Sequence, residues 1–116
     1  MSYDLNFWRY KSRIRLVHKA VYEQLSAGQH VDGLEDLPIE DIVRKVSKTF
    51  SGWKKVDDVT FEGGARGSFK IFTTPQFFRV DGTGLSGDEM NKFIDIGSEF
   101  GCPLYDSQAG QRYEIQ

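Results

Sequence analysis

The side chains that most often do chemistry are sparse in this chain: two histidines, His18 and His30, and one cysteine, Cys102. The eleven residues between the histidines match no metal-ligand spacing, even with Asp32 or Glu35 added as further donors. Both imidazoles are expected on the solvated surface. Cys102 follows a predicted helix C-terminus, whose partial negative charge disfavours the thiolate. A packed, unreactive thiol is expected there, and a lone cysteine forms no intramolecular disulfide. The Gly63–Gly67 run lacks the G-K-[ST] ending of a phosphate loop and precedes a strand, so no helix N-terminus would meet a phosphate. Gly82, Gly84 and Gly87 do precede a helix, but Asp81 and Asp88 flank them and would repel an anion. Asp57 and Asp58 fall on a predicted strand and point to opposite faces, so they do not form a carboxylate pair. Asp88, Asp95 and Glu99 share a helix side with Asn91 and Lys92, as on any solvated helix face. The expectation is a chain with no catalytic residues, no metal and no cofactor.

Charge is distributed more informatively than any motif. Arg9, Lys11, Arg13, Arg15 and Lys19 form a basic block without an acid. Asp32, Glu35, Asp36, Glu40 and Asp41 form an acidic block without a base. The acidic block suits docking of a basic partner, with charge steering the encounter. Alternatively, the two blocks are solvated surfaces partly paired with each other. The basic block, interleaved with Trp8 and Tyr10, is also a candidate nucleic-acid surface. The net charge of -2 weighs against that, since such domains are usually basic.

The elements that must position these residues follow from periodicity. Residues 3–10, YDLNFWRY, read as a strand with bulky residues on both faces. Residues 17–27 read as a helix on Val17, Val21 and Leu25, stopped by Gly28. Val17-His18 stands where a polar N-cap is expected, so the start of this helix is left open. Residues 29–37 are an acidic loop. Pro38 opens a second helix with Ile39, Ile42, Val43, Val46 and Phe50 on its apolar stripe. Residues 53–61 read as one strand anchored by Trp53, Val56, Val59 and Phe61. Residues 68–74 and 77–81 read as a hairpin turning at Pro75-Gln76.

The run from Ser86 to Asp106 is the clearest stretch. Ser86 and Glu89 make a capping box. Met90, Phe93, Ile94, Gly97 and Phe100 mark the predicted buried face, and Gly101 with Pro103 ends the helix. Leu104 and Tyr105 begin a last strand, and the tail from Ser107 is expected to be loose. The order β-α-α-β-β-β-α-β predicts an α+β fold, with helices on one face of a mostly antiparallel sheet, as a ferredoxin-like variant. At 116 residues, with 14% aromatic side chains, one domain spanning 1–116 can bury a real core. No apolar run reaches the length of a membrane span, and the first residues do not read as a signal peptide. A cytoplasmic location is therefore expected.

Three segments, YDLNFWRY, GSFKIFTTPQFFRVDGTGLSGDEMNKFIDI and EFGCPLYD, together resemble a family of small, poorly characterised bacterial α+β proteins. Some members of such families are immunity proteins of polymorphic toxin systems. The resemblance implies a non-enzymatic cytoplasmic inhibitor that binds a cognate toxin, possible targets being nuclease domains with basic clefts. Asp32, Glu35, Asp36, Glu40 and Asp41 would then mimic phosphates. Two alternatives stand beside it. One is an RNA-binding or translation-associated module using Trp8, Arg9, Tyr10, Lys11, Arg13 and Arg15. The other is a small-ligand protein or enzyme with an aromatic pocket of Trp8, Trp53 and Tyr105.

Overall fold

A computed structural model describes residues 2–113. Among them the chain orders as β1 (Ser2–Phe7), α1 (His18–Ser26), α2 (Ile39–Thr49), β2 (Lys54–Lys55), β3 (Thr60–Glu62), a 3-10 turn (Gly64–Arg66), β4 (Ser68–Thr74), β5 (Phe77–Thr83), α3 (Gly87–Glu99), β6 (Leu104–Asp106) and β7 (Gln111–Tyr113). The strands form one antiparallel sheet in the order β2-β3-β4-β5-β1-β6-β7. The α+β class is as expected. No helix of the described residues is long and apolar enough to cross a membrane.

Alternation along the strands builds two cores. Leu5 and Phe7 of β1, Phe69 and Ile71 of β4, and Phe78 and Val80 of β5 face α2 and α3, where Ile42, Val46, Phe50, Phe93 and Ile96 cover them. Residues of the opposite parity, Trp8, Phe77 and Tyr105, pack with Val21 and Leu25 of α1 on the other face. The expectation that all helices share one face is thus corrected. A sheet with bulky residues on both sides of β1 needs cover on both sides, and α1 supplies the second.

The hairpin of β4 and β5 forms as predicted, with Thr74 opposite Phe77. Its turn also has a tertiary task. Gln76, 2% exposed, donates Nε2 to the Val31 carbonyl and accepts the Val31 N–H on Oε1, both at 2.9 Å. The Leu37 N–H donates to the Pro75 carbonyl at 2.7 Å. The acidic loop is thereby stitched to the hairpin and is not a free excursion.

Helix α3 begins as read: Ser86 Oγ accepts the Glu89 N–H at 3.2 Å. The Glu89 carboxylate itself turns to Lys92 Nζ at 3.2 Å. Gly101 ends the helix at φ +74°, and Gly28 follows α1 at φ +77°. On α3 the buried face is Phe93, Ile96 and Gly97, with Ile94 only half-buried. Three further expectations are corrected. Residues 53–61 are not one strand: β2 and β3 are short and reverse at Asp57, whose Oδ1 accepts the N–H groups of Val59 and Thr60 at 2.9 and 2.8 Å. Val56 and Val59 are consequently exposed. The tail from Ser107 is not loose within the described residues, because β7 pairs with β6. The rest of that tail, 114–116, lies outside the described residues.

A polar lock holds α1 to the sheet. Asp4 on β1 accepts hydrogen bonds from Tyr22 Oη at 2.7 Å, Asn6 Nδ2 at 3.1 Å and Ser107 Oγ at 2.6 Å. Partial burial pushes the Asp4 carboxyl up, but the donors from Ser107, Tyr22 and Asn6 together outweigh this and hold it below its ordinary value of 3.8. A depressed carboxyl stabilises the fold above its unfolded value, and that contribution is lost as pH falls through the folded one. Asp4→Asn is expected to cost about 1–2 kcal/mol at neutral pH. Its deficit in urea midpoint should shrink below about pH 4, where the wild-type carboxyl protonates as well. A deficit that stays constant down to about pH 2 would contradict the lock.

Candidate functional site

The most unusual backbone lies between β1 and α1. Residues 11–17, KSRIRLV, are all exposed. The segment opens with a turn closed by the Ile14 N–H on the Lys11 carbonyl at 3.2 Å, and Arg13 within it has φ +66°. A non-glycine residue in this region is strained and recurs where a segment is held for a purpose. The base of the loop is tied down by backbone pairing. The Glu35 N–H donates to the Arg9 carbonyl at 2.8 Å and the Lys11 N–H to the Gly33 carbonyl at 2.9 Å, flanking a bridge between Tyr10 and Leu34. Ile14 and Leu16 close over Gly33, where an added Cβ would meet Ile14 Cγ2 at 3.0 Å.

The loop forms a ridge between two clefts. On one flank, Leu16 and Val17 with Ala20 and Val21 of α1 wall a groove of about 450 Å3, rimmed by Gln24, His30 and Asp32. On the other flank, Ile14 and Arg15 face a cleft of about 460 Å3 shared with Arg9, Tyr10 and Arg112. Val17 is 72% exposed, with Leu16 at 39% and Ile14 at 37%. Three apolar side chains left outside within four residues of one ridge make an exposed patch of the kind that marks interaction surfaces.

The structure brings the two charge blocks together. Arg9 Nε lies 2.8 Å from Glu35 Oε2, an ion pair away from the ideal N–H line, and Arg9 Nη1 donates to the Phe100 carbonyl at 2.9 Å. Asp41 pairs with Arg44 at 2.7 Å, and Asp32 approaches His30 at 3.3 Å. Asp36 and Glu40 are exposed on the same acidic stretch. Glu35, Asp41 and Asp32 thus lie beside Arg9, Arg44 and His30, so the acidic block is not one unpaired patch.

Trp8 cannot stack on a base from where it lies. It is fully buried, against Tyr105 at 5.1 Å between ring centroids and Phe77 at 6.3 Å. Tyr10 is half-buried, with the Arg112 guanidinium 4.7 Å from its ring centre. Lys11, Arg13, Arg15 and Lys19 are exposed. The aromatic-pocket trio also separates: Trp8 and Tyr105 share one core, whereas Trp53 lies in the other, across the sheet. His30 is exposed as expected, but His18 is not simply solvated. Its Nδ1 lies 2.7 Å from Tyr10 Oη, and its ring sits 6.5 Å from Trp8. Cys102 is 1% exposed, and burial pushes its thiol up to about 11 despite the nearby Arg9 and Arg112 charges. Among the described residues, no group of three or more His, Cys, Asp and Glu side chains is placed to hold a metal.

Sequence reasoning missed Arg112 and the apolar ridge. The signal for Arg112 was available: SQAG between LYD and QRY is a turn between two short strands. Periodicity makes Val17 the first apolar residue of a helix face, whereas it is the exposed N-cap residue preceding α1. Comparison with family models, with curated proteins and with solved structures finds no match to this chain.

Proposed function

We propose that this chain is a non-enzymatic binding domain that captures a partner protein on the ridge of residues 11–17 and the apolar groove beside it. The observation that carries this reading is the exposure of Val17, at 72%, next to a groove walled by Leu16, Ala20 and Val21. An apolar centre with a polar rim is the anatomy of a protein interface, and a groove of this size accepts a partner's apolar side chain. Asp32 on the rim favours a basic partner by steering the encounter.

The partner reading is a cognate bacterial toxin, neutralised in the cytoplasm, as the family resemblance of the YDLNFWRY, GSFKIFTTPQFF and EFGCPLYD segments implies. A ferredoxin-like variant is the accompanying fold reading. It is supported by the central strand order β4-β5-β1-β6 with α2 and α3 over one face, the other strands extending the edges. The test is co-expression with the product of the adjacent gene. Growth rescue and co-purification are expected. Val17→Asp should weaken the complex about tenfold, roughly 1.4 kcal/mol, without lowering the urea midpoint, since Val17 is the mostly exposed N-cap of α1 and Asp is a favoured cap there. Failure to co-purify together with failure to rescue growth would overturn the toxin reading. Retained affinity in Val17→Asp would move the interface off the ridge.

A further inference from the structure

The ridge carries more than its groove requires. Exposed Ile14, Leu16 and Val17 are interleaved with Lys11, Arg13 and Arg15, and Lys19 follows in the first turn of α1. All four cations are exposed, and none is ion-paired among the described residues. On the neighbouring loop, Glu35 lies 2.8 Å from Arg9 and Asp32 lies 3.3 Å from His30, so neither is paired with them. Two of the cations also work against the fold. Arg13 has φ +66°, a conformation that a non-glycine residue adopts at a cost. Lys19 stands at the positive end of the α1 dipole, where a carboxylate would be favoured and none is present in the first turn. The crest is thus apolar and cationic together, and its charges do not serve stability.

We infer that this crest docks on the surface of an anionic lipid bilayer, with Ile14, Leu16 and Val17 seated among the headgroups and Lys11, Arg13, Arg15 and Lys19 meeting the lipid phosphates. A bilayer surface offers hydrocarbon and negative phosphate side by side. Aliphatic side chains sink toward the acyl boundary, while the long stems of Lys and Arg keep their charges at phosphate level. Each such cation adds to the attraction of the surface. The seating is shallow, because the backbone of an irregular loop needs water for its polar groups. The groove occupant proposed above uses Val17 and leaves these four cations unassigned. A single-stranded nucleic acid would use the cations but not the aliphatic residues, and it would need a stacking ring, whereas Trp8 is fully buried.

The inference shares Val17 with the protein-binding reading but rests on the cations, so its test omits any partner. The isolated chain is sedimented at low ionic strength with vesicles of equimolar phosphatidylglycerol and phosphatidylcholine, and with vesicles of phosphatidylcholine alone. Binding to the anionic vesicles is expected, weakening as salt is added, with far less on the neutral ones. Arg15→Gln should lower the partition about fivefold, and Arg13→Gln combined with it about 25-fold. Val17→Ser removes apolar surface while keeping a favoured N-cap, and should lower it at least about threefold. Circular dichroism should show each variant folded. Failure to sediment with the anionic vesicles, or equal binding to the neutral ones, would overturn the inference. An unchanged partition in the arginine variants would move the contact off the crest, and an unchanged one in Val17→Ser would remove its apolar seating; either overturns it. Retention of an oligoribonucleotide by a chain that binds neither vesicle would overturn it in favour of nucleic acid. None of these outcomes touches co-purification with the neighbouring gene product, so the two readings fail separately.

Discussion

Trp8→Ala is expected to destabilise the fold by about 3–5 kcal/mol, the largest effect of any single truncation considered. The indole is fully buried where α1 meets the sheet. It touches Tyr105, Phe77, Tyr10 and His18, so its removal opens a void that four rings cannot fill without leaving their own contacts. Because a domain of this size is stable by only about 5–15 kcal/mol, the variant should show a large drop in urea midpoint. Trp8→Phe keeps an aromatic plug and should lose about 2 kcal/mol or less. The measurement is equilibrium urea unfolding followed by far-ultraviolet circular dichroism. It also separates two roles for this residue. A variant with a wild-type midpoint and lost RNA retention would return Trp8 to a surface stacking role.

Gly97→Ala should destabilise the protein, although helix propensity alone favours alanine over glycine by about 1 kcal/mol. Gly97 is buried on the face of α3 that lies on β1. A Cβ there would sit 2.4 and 2.6 Å from ring carbons of Phe7 and 2.9 Å from the Cys102 carbonyl oxygen. Neither neighbour can yield cheaply. Phe7 is fully buried and stacked on Phe78 with centroids 5.3 Å apart. The Cys102 backbone is bound to the Gly97 carbonyl through its own N–H at 2.8 Å. Overpacking of this kind costs about 1–3 kcal/mol, enough to reverse the propensity gain. A raised midpoint in thermal or urea unfolding would mean that α3 can lift from β1 more easily than the packing implies.

The parts legible in the sequence are those whose signals are local. The Ser86 cap and Gly101 stop delimit α3 because capping uses groups within one helical turn. The Pro75-Gln76 turn aligns β4 with β5 because hairpin register follows from loop length. Strands β2, β3 and β7 have two or three residues each, too few to show a periodicity, whereas the equally short β6 is legible because it follows the Gly101–Pro103 helix stop. Nor could periodicity choose a face for α1. It marks Val21 and Leu25 as the apolar side of that helix, but β1 offers Phe7 on one face and Trp8 on the other.

The sequence by itself determined the α+β class, the bounds of the helices to within a few residues, the buried setting of Cys102 and the two charge blocks; it ran the first strand on to Tyr10, whereas β1 ends at Phe7 and Tyr10 only bridges Leu34. Only the tertiary structure decided what those blocks do. Arg9 meets Glu35 through the pairing of residues 9–11 with 33–35. Gln76 fixes Val31 across 45 positions, and Arg112 reaches Trp8 across 104. Each of these contacts closes a long loop, and its formation depends on sheet register and on which face each helix covers. Local residue patterns do not encode such pairings, so the ridge of exposed apolar residues and the clefts beside it come into being only when the whole sheet is assembled.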